Sequence, residues 1–324
     1  MPSVRRPVAK GRASRHLMHY VRQQYSFGYR QLWFEMERMS DAMRTFHVPP
    51  ANILAPYIDR LWGLESVGNE RIALPILLPG TGAELYFHYS TPFRRSAGSG
   101  ESVVCHDAHL FCIRSRPIEL LPARDIGFVA VRFRAGMMHR FIDIPGGELI
   151  DRDLSADDLW GATGQTLATR VASAETLTER LRLIQCFLVE RLARRSSDLV
   201  FEHAATLLYD NCIDLTIDHL AERVGLGRRQ LERRFNAIAG QTPVELRGLA
   251  RFQKTVRTLI LDNGAQTTDA ALAHGYYDQA HFIRHFRGLA AESPERHLKA
   301  ARTRTHFYNT PWRACTKIAA PLYP

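Results

Sequence analysis

Residues 231–235 read LERRF, and residues 282–286 read FIRHF. Both stretches carry a large apolar residue, an arginine two positions later and a phenylalanine two positions after that. The same offset of 51 residues separates Leu231 from Phe282, Arg233 from Arg284, Phe235 from Phe286 and Pro243 from Pro294. An offset that recurs at several positions indicates an internal duplication.

The duplicated unit has the pattern of a helix-turn-helix. Leu231 and Phe235 lie four residues apart, as their counterparts do, so each pair forms an apolar stripe on a helix. Arg233 lies about 200° round that helix from Leu231, because each residue turns about 100°, and it therefore faces outward. Upstream, LAERVG and ALAHG each indicate a short helix that ends at a glycine, which can adopt the left-handed conformation. We predict two helix-turn-helix units within residues 211–300.

A longer helix is predicted between the two units. Thr242 is a good N-cap residue, and Pro243 stands at the first helical position, where its missing N–H costs nothing. Apolar residues then recur at helical spacing from Leu246 to Ile260, and Gly264 lies just past the predicted end. Such a helix would fix the distance between the two units.

The segment LAERVGLGRRQLERRFNAIAGQTPVELRGLARF, continued by AALAHGYYDQAHFIRHFRGLAAESPERHL, resembles the DNA-binding domain of the AraC/XylS family of bacterial transcription regulators. The more specific second unit matches that family at Ala271, Gly275, Tyr276, Asp278, Phe282, Arg284, Phe286 and Pro294. The whole segment departs from the family at four positions. Leu246 stands where tyrosine is usual, Gly227 and Ala280 where serines are usual, and Ala291 where glycine is usual. The resemblance implies a sequence-specific, bacterial transcription regulator whose partners are double-stranded DNA and RNA polymerase.

The resemblance also implies which residues read DNA. In this fold the second helix of each unit lies in the major groove and presents residues near its N-terminus to base edges. Spacings of three and four residues place Arg229, Glu232 and Arg233 on one face of the first such helix, and the equivalent residues on one face of the second. The predicted DNA-binding set is Arg228, Arg229, Glu232, Arg233, Gln279, Ala280, Ile283 and Arg284.

The formal net charge of +10 does not itself support DNA binding, because the excess lies in the tails. Residues 1–34 hold seven Lys or Arg and no acid, and residues 300–324 hold four and no acid, which leaves −1 for the rest. The local run RRQLERR at residues 228–234 does support it, although outside a helix-turn-helix it would indicate only a solvated helix face. We expect a basic, disordered extension over residues 1–45 and a basic tail over residues 301–324.

Cysteine usage and hydropathy indicate the compartment. The five cysteines, Cys105, Cys112, Cys186, Cys212 and Cys315, include no CxxC pair. An odd, scattered set indicates reduced thiols. No apolar run approaches the roughly 18 residues of a membrane span, and no signal-type apolar segment follows the basic N-terminus. We expect a cytoplasmic, nucleoid-associated protein without membrane contact.

Residues 46–154 have the composition of a β domain. YIDRLWGLES, GAELYFHYS, HLFCIRS, RPIELLP and IGFVAVRFRA are rich in β-branched and aromatic residues and are separated by Gly, Pro and Ser. Several such strands indicate a small barrel or sandwich. PYIDRLWGLE, LLPGTGAELYFHY and VRFRAG also resemble an uncharacterised sensor-type domain found ahead of AraC-type DNA-binding domains, which implies a cupin-like fold. The predicted fold class is α+β: a cupin-like β barrel or sandwich with a helical extension, then an all-α double helix-turn-helix domain.

Residues 155–210 form the helical extension, and two interpretations of it remain. Leucine or isoleucine recurs at helical spacing at Leu177, Leu181, Ile184, Leu188 and Leu192. This stripe could be the seam of a homodimer. Because it spans barely two heptads, it could equally be the face of a helix packed on its own β domain.

Few residues offer catalytic or metal chemistry. CHDAH at residues 105–109 supplies ligand residue types, and His88 could join them, but side chains alternate faces along a strand, so only Cys105, Asp107 and His109 could converge. His281 and His285 lie one helical turn apart, where phosphate or water contacts are expected rather than zinc. The sequence has no G-x-S-x-G, P-loop or H-E-x-x-H motif. We therefore predict no catalytic residue, metal or cofactor.

Three functional hypotheses follow. The leading one is a sequence-specific transcription regulator, not an enzyme, whose N-terminal domain senses a small molecule or a partner. The second is a metal-dependent enzyme domain that the DNA-binding units merely localise. The third is a regulator without effector, whose N-terminal domain only dimerises. Stoichiometric metal in the purified protein would favour the second hypothesis.

Overall fold

The structure, a computed structural model, describes residues 37–40, 43–98 and 100–301. The predicted basic extension up to residue 36, the predicted tail from residue 302 and Cys315 lie outside the described residues. Within the described part of the chain, a β domain precedes an all-helical domain, which confirms the predicted α+β class.

The β domain is built on one antiparallel sheet. Its strands are β1 Glu37–Ser40, β2 Met43–Val48, β3 Ile58–Ser66, β4 Ile76–Leu77, β5 Glu84–His88, β6 Arg94–Gly98, β7 Glu101–Val104, β8 Ala108–Phe111, β9 Ile118–Glu119, β10 Gly127–Phe133 and β11 Asp153–Ser155. Seven of them form the main sheet in the order β1-β2-β3-β10-β5-β8-β11. The pairs β4–β9 and β6–β7 form two small additional sheets.

Both faces of the main sheet are buried. Along β5, Leu85 and Phe87 belong to one apolar cluster and Tyr86 to another, because alternate side chains point to opposite faces. The first cluster is covered by the helical extension, and the second includes Leu77 of β4 and Ile118 of β9. This layered arrangement explains why all five residues of β5 are buried.

The β domain begins earlier than predicted. Residues 37–45 fall within the expected disordered extension, but β1 pairs with β2, and β2 pairs with β3 from Met43 onward. The four residues of β1 show only weak apolar alternation, which did not indicate a strand, and the pairing with β2 is a contact that the sequence alone does not record.

The helical extension consists of α1 Ala156–Trp160, α2 Ala162–Ser173 and α3 Leu177–Arg194, followed by α4 Leu199–Asp210. The stripe predicted as a dimer seam lies on α3. Leu181, Ile184 and Leu188 are fully buried in the apolar cluster of the β domain. The second interpretation therefore describes α3: its apolar face packs on its own domain.

The C-terminal domain has the duplicated architecture that the sequence predicts. The first unit comprises α5 Ile217–Arg223 and α6 Arg228–Ala239, and the second comprises α8 Thr267–Ala273 and α9 Gln279–Ala290. Helix α7, Pro243–Leu261, joins them, and α10, Pro294–Ala301, follows. As predicted, α7 begins at Thr242 and Pro243, and the Thr242 hydroxyl accepts a hydrogen bond from the Glu245 N–H. None of the helices in the described residues combines the length and apolar character that crossing a membrane requires.

The two domains share apolar packing. Two 3-10 helices, η1 Met137–Arg140 and η2 Gly146–Glu148, connect β10 to β11 and lie against the helical domain. Met137 is buried with Phe201 of α4 and Phe235 of α6. Leu78, just after β4, is buried with Phe252 of α7 and Phe286 of α9. The β domain thus packs against both helix-turn-helix units.

Candidate DNA-binding surface

Local hydrogen bonds define the starts of α6 and α9. The turn before α6 contains Gly225 in the left-handed region, at φ 67°, and Gln230 Oε1 accepts a 3.2 Å hydrogen bond from the Gly227 N–H. The turn before α9 contains Gly275 at φ 81°, and Asp278 Oδ1 accepts a 2.6 Å hydrogen bond from the His281 N–H. The two predicted glycine turns are therefore present, and each presents the first turn of its second helix to solvent.

The repeated sequence motif divides between core and surface as its spacing predicts. Leu231 and Phe235 on α6, and Phe282 and Phe286 on α9, are fully buried. All eight predicted DNA-binding residues are accessible to solvent. Six are exposed, and Glu232 and Ile283 are partly buried. The structure thus places one group of predicted residues at the start of α6 and the other at the start of α9.

Arg228 is engaged within its own unit. Its Nε donates to Glu232 Oε1 at 3.0 Å, and its Nη1 donates to Asp218 Oδ1 of α5 at 3.1 Å. The hydrogen bond to Glu232, and then the charge of Asp218, raise the pKa of the Arg228 guanidinium. These exposed pairs orient the arginine more than they stabilise the fold, because surface ion pairs contribute little free energy.

The other arginines of the set differ from Arg228. Within the described residues, no carboxylate lies within ion-pair distance of Arg229, Arg233 or Arg284. Arginine can pair in two-pronged fashion with the O6 and N7 atoms of guanine in the major groove. These three side chains are therefore the ones whose donors are available to DNA. On α9, Gln279 Oε1 accepts a hydrogen bond from the Thr268 hydroxyl at 3.1 Å.

The basic residues of α7 have a role that the sequence did not reveal. Arg247 and Arg251 both donate through Nε to the Cys212 carbonyl, at 3.1 and 2.7 Å, and Lys254 Nζ donates to the Tyr209 carbonyl at 2.7 Å. Cations at these positions satisfy carbonyl groups at and beyond the C-terminal end of α4. The sequence shows that the predicted joining helix has a polar face. It does not show that the backbone carbonyls near the end of α4 are the partners of that face.

The expectation that both helix α9 histidines contact phosphate or water is wrong for His285. Its Nδ1 lies 2.7 Å from the Tyr276 hydroxyl, and its ring packs against Phe252 of α7. Burial, and then the charge of His281, lower the pKa of His285, so the neutral ring accepts the hydrogen bond from Tyr276. His285 connects α9 to the turn and to α7, whereas His281 is exposed.

The CHDAH residues do not converge. Cys105 and His109 are buried, whereas His106 and Asp107 are exposed, because β8 begins only at Ala108. His109 Nδ1 donates to the His106 carbonyl at 2.8 Å. No cluster of three His, Cys, Asp or Glu side chains suited to a metal ion occurs in the described part of the chain.

Two protein-family models match separate parts of the chain. Residues 220–300 match a helix-turn-helix domain, and residues 46–155 match a domain of unknown function, DUF6597. No curated protein matches the chain.

Among solved structures, the chain is similar to a transcriptional regulator with an AraC-type DNA-binding domain from Chromobacterium violaceum, with 26% identity over 32% of this chain and 92% of that one and a TM-score of 0.30. It is similar to a probable AraC family transcriptional regulator from Rhodopseudomonas palustris, with 25% identity over 32% of this chain and 99% of that one and a TM-score of 0.29. A longer likeness is to ToxT from Vibrio cholerae, with 13% identity over 80% of this chain and 98% of that one and a TM-score of 0.41.

Proposed function

We propose that this chain is an AraC-type transcription regulator that recognises a specific DNA sequence through α6 and α9 together, because residues 220–300 match a helix-turn-helix domain. We propose further that its β domain senses a small molecule or a partner and transmits that state to the helices. The site of action is then the nucleoid in the cytoplasm, with RNA polymerase as the downstream partner.

One observation carries the proposal for sequence recognition: the two helices α6 and α9 expose different side chains at equivalent positions of a duplicated frame. Arg228 and Arg229 are exposed on α6, whereas Gln279 and Ala280 are exposed at the equivalent positions of α9. Phosphate binding alone would need positive charge but no particular pattern of donors and acceptors. A defined pattern of this kind is what base recognition in the major groove requires.

The test is selection of bound sequences from a random DNA pool with the full chain. We expect an enriched site with two blocks whose centres lie about 10 base pairs apart, because two units held by one helix meet successive major grooves on the same face. Binding that enriches no sequence, and whose affinity depends only on salt, would show that the chain contacts phosphates alone.

Packing between the domains supports a sensing role for the β domain. Arg140 Nη1 of η1 donates to Glu202 Oε1 of α4 at 3.0 Å, in a pair that is almost fully shielded from solvent. The Thr81 hydroxyl donates to Gln253 Oε1 of α7 at 2.9 Å. A conformational change in the β domain would thus alter contacts with α4 and α7, the helices that pack against the two helix-turn-helix units.

The sensing proposal is tested by repeating the DNA-binding measurement in the presence of candidate metabolites. A ligand that changes DNA affinity must, by reciprocity, bind with a different affinity when DNA is present. The regulator without effector predicts unchanged DNA affinity with every metabolite, together with a dimer in sedimentation experiments. A homodimer would have to use a surface other than the leucine stripe of α3, since that stripe is buried.

A further inference from the structure

The loop between β4 and β5 is buried, which is unusual for a connecting segment. Residues 78–81, with the sequence LPGT, form no helix or strand, and all four are buried. Connecting segments almost always run over the surface of a protein, because their backbone polar groups need water or other partners. A surface outside the loop must therefore cover these residues.

The second helix-turn-helix unit and the joining helix α7 provide this surface. The side chain of Leu78 is buried in the same apolar cluster as Phe252 of α7 and Phe286 of α9. All other buried members of that cluster lie within residues 252–298. Leu78 is thus the one buried residue that the β domain contributes to the core of the second unit.

Polar contacts hold the loop from both sides. The Thr81 hydroxyl donates to Gln253 Oε1 of α7 at 2.9 Å, and both residues are buried. Arg114 of the β domain donates through Nη2 to the Leu78 carbonyl at 3.1 Å. A β-carbon on Gly80 would lie 2.8 Å from Gln253 Nε2, so the loop backbone lies directly against that side chain. The loop is therefore fixed to its own domain by Arg114 and to α7 by Gln253.

The first helix-turn-helix unit is fixed to the same β domain at a different place. Gly146 of η2 lies against the backbone of Ala239 and Gly240 at the end of α6. Met137 of η1 is buried with Phe235 of α6. The two units are thus connected twice, once through α7 and once through the β domain. The second connection restricts relative movements of the units that a single joining helix permits.

We propose that the β domain is a brace that fixes the spacing between α6 and α9, with Leu78 and Thr81 as positioning residues for DNA recognition. This inference rests on the proposed recognition of DNA through both helices. Two units that are already held at the correct spacing bind a matching site without an ordering cost, and they must deform to bind a site with any other spacing. The brace therefore determines which distance between the two halves of a DNA site the chain accepts.

The brace is tested by changing the spacing of the selected DNA site. One base pair inserted between its two blocks moves the second block by about 3.4 Å along the duplex and rotates it by about 35°. We expect the natural chain to bind the lengthened site at least about tenfold more weakly than the selected site. Leu78→Ala should weaken binding to the selected site and lower the ratio between the two affinities several-fold, because the second unit is no longer held. Leu78→Met keeps the side-chain volume and should behave as the natural chain does.

Leu298→Ala is the matched control. Leu298 lies on α10 in the same apolar cluster as Leu78, but it does not belong to the β domain. Its loss destabilises the second unit without releasing the brace, so the affinities for both sites should fall by the same factor. Thr81→Val removes the hydrogen bond to Gln253, should lower the ratio in the same direction, and replaces Leu78→Ala if that variant does not fold. A ratio that stays unchanged, or that changes equally in Leu298→Ala, would show that Leu78 and Thr81 do not set the spacing.

A measurement without DNA separates failure of the brace from failure of the proposed function. Spin labels are attached at equivalent exposed positions, through Ala237→Cys on α6 and Gly288→Cys on α9. Cys315→Ser accompanies them, and the other four cysteines are buried. Pulsed electron resonance should give one narrow distribution of distances in the natural background and a broader one with Leu78→Ala. If the distribution broadens but no DNA sequence is enriched, the brace stands and DNA recognition fails. If a two-block site is enriched but neither the distances nor the affinity ratio change, DNA recognition stands and the brace is overturned.

Discussion

The backbone of Gly146 lies against the backbone of Gly240 so closely that neither residue has space for a side chain. A β-carbon on Gly146 would lie 2.3 Å from the Ala239 carbonyl carbon, and one on Gly240 would lie 2.4 Å from the carbonyl carbon of Gly146. Gly240 also ends α6 in the left-handed region, at φ 68°. Two glycines from different domains thus form the contact between η2 and α6.

Gly146→Ala should lower the free energy of unfolding by about 1 to 3 kcal/mol. The added methyl would overlap backbone atoms of Ala239 and Gly240, and the overlap can be relieved only if η2 and α6 move apart. Gly147→Ala is the matched control. A β-carbon there meets nothing within 4 Å, so its effect should stay within about 0.5 kcal/mol. Urea denaturation of both variants measures the difference, and equal stabilities would mean that the contact between η2 and α6 is loose.

Arg233→Ala and Arg284→Ala should each relax sequence preference in a different half of the DNA site, at a cost of about 1 to 3 kcal/mol. The measurement is binding of each variant across a library of single-base changes in the selected site. The second unit is expected to contribute less, because Ala280 and Ile283 offer apolar contacts instead of hydrogen bonds. Uniform loss of affinity for all sequences, with a salt slope lower by about one, would assign both arginines to phosphate.

His109 should make stability depend on pH. Burial lowers the pKa of His109 to about 4 in the folded chain, against about 6.5 when unfolded. Stability is therefore fully present above about pH 6.5 and declines as the pH falls toward 4, by up to about 3 kcal/mol. His109→Asn, whose amide can still donate to the His106 carbonyl, should reduce this decline in urea denaturation across that range. His106→Asn, at an exposed position, is the control. Identical pH profiles for the natural chain and His109→Asn would show that His109 does not cause the loss of stability at low pH.

Ala291→Gly should stabilise the chain by about 0.5 to 1 kcal/mol. Ala291 ends α9 in the left-handed region, at φ 58°, the position where Gly240 ends α6. A residue with a β-carbon is strained there, whereas glycine is not. Ala237→Gly, in the exposed interior of α6, should instead destabilise by about 1 kcal/mol. Thermal denaturation separates the two, and a loss of stability in both would show that backbone strain at Ala291 is negligible.

The helix-turn-helix units could be predicted because their signals are local. The apolar spacing of Leu231 and Phe235, and the glycine turns before α6 and α9, act within a few residues, and each is present in the structure. The main strands were found for the same reason. The eight predicted DNA-binding residues are accessible as their spacing implies, and their contacts with bases stay a prediction.

Long-range contacts could not be predicted in the same way. The leucine stripe of α3 shows that the helix has an apolar face, but periodicity does not say whether a second chain or the same chain covers it. Arg251 reaches a carbonyl 39 residues earlier in the chain, and Tyr276 reaches His285 across a turn. Strand β1 depends on its partner for order. Each of these contacts depends on which surfaces of the chain meet after folding. The order of residues along the sequence does not contain this information.

The helices α6 and α9 expose different side chains, and this difference affects the orientation in which the chain should bind a promoter. Two identical units would present the same side chains to both halves of the DNA site. Here Arg228, Arg229 and Glu232 on α6 correspond to the chemically different Gln279, Ala280 and Ile283 on α9, whereas Arg233 and Arg284 are the same residue type. A single chain should therefore read an asymmetric site and point one way along the DNA. Inverting that site would turn the β domain toward the opposite flank of the promoter, so orientation as well as position of the site should decide its effect on transcription.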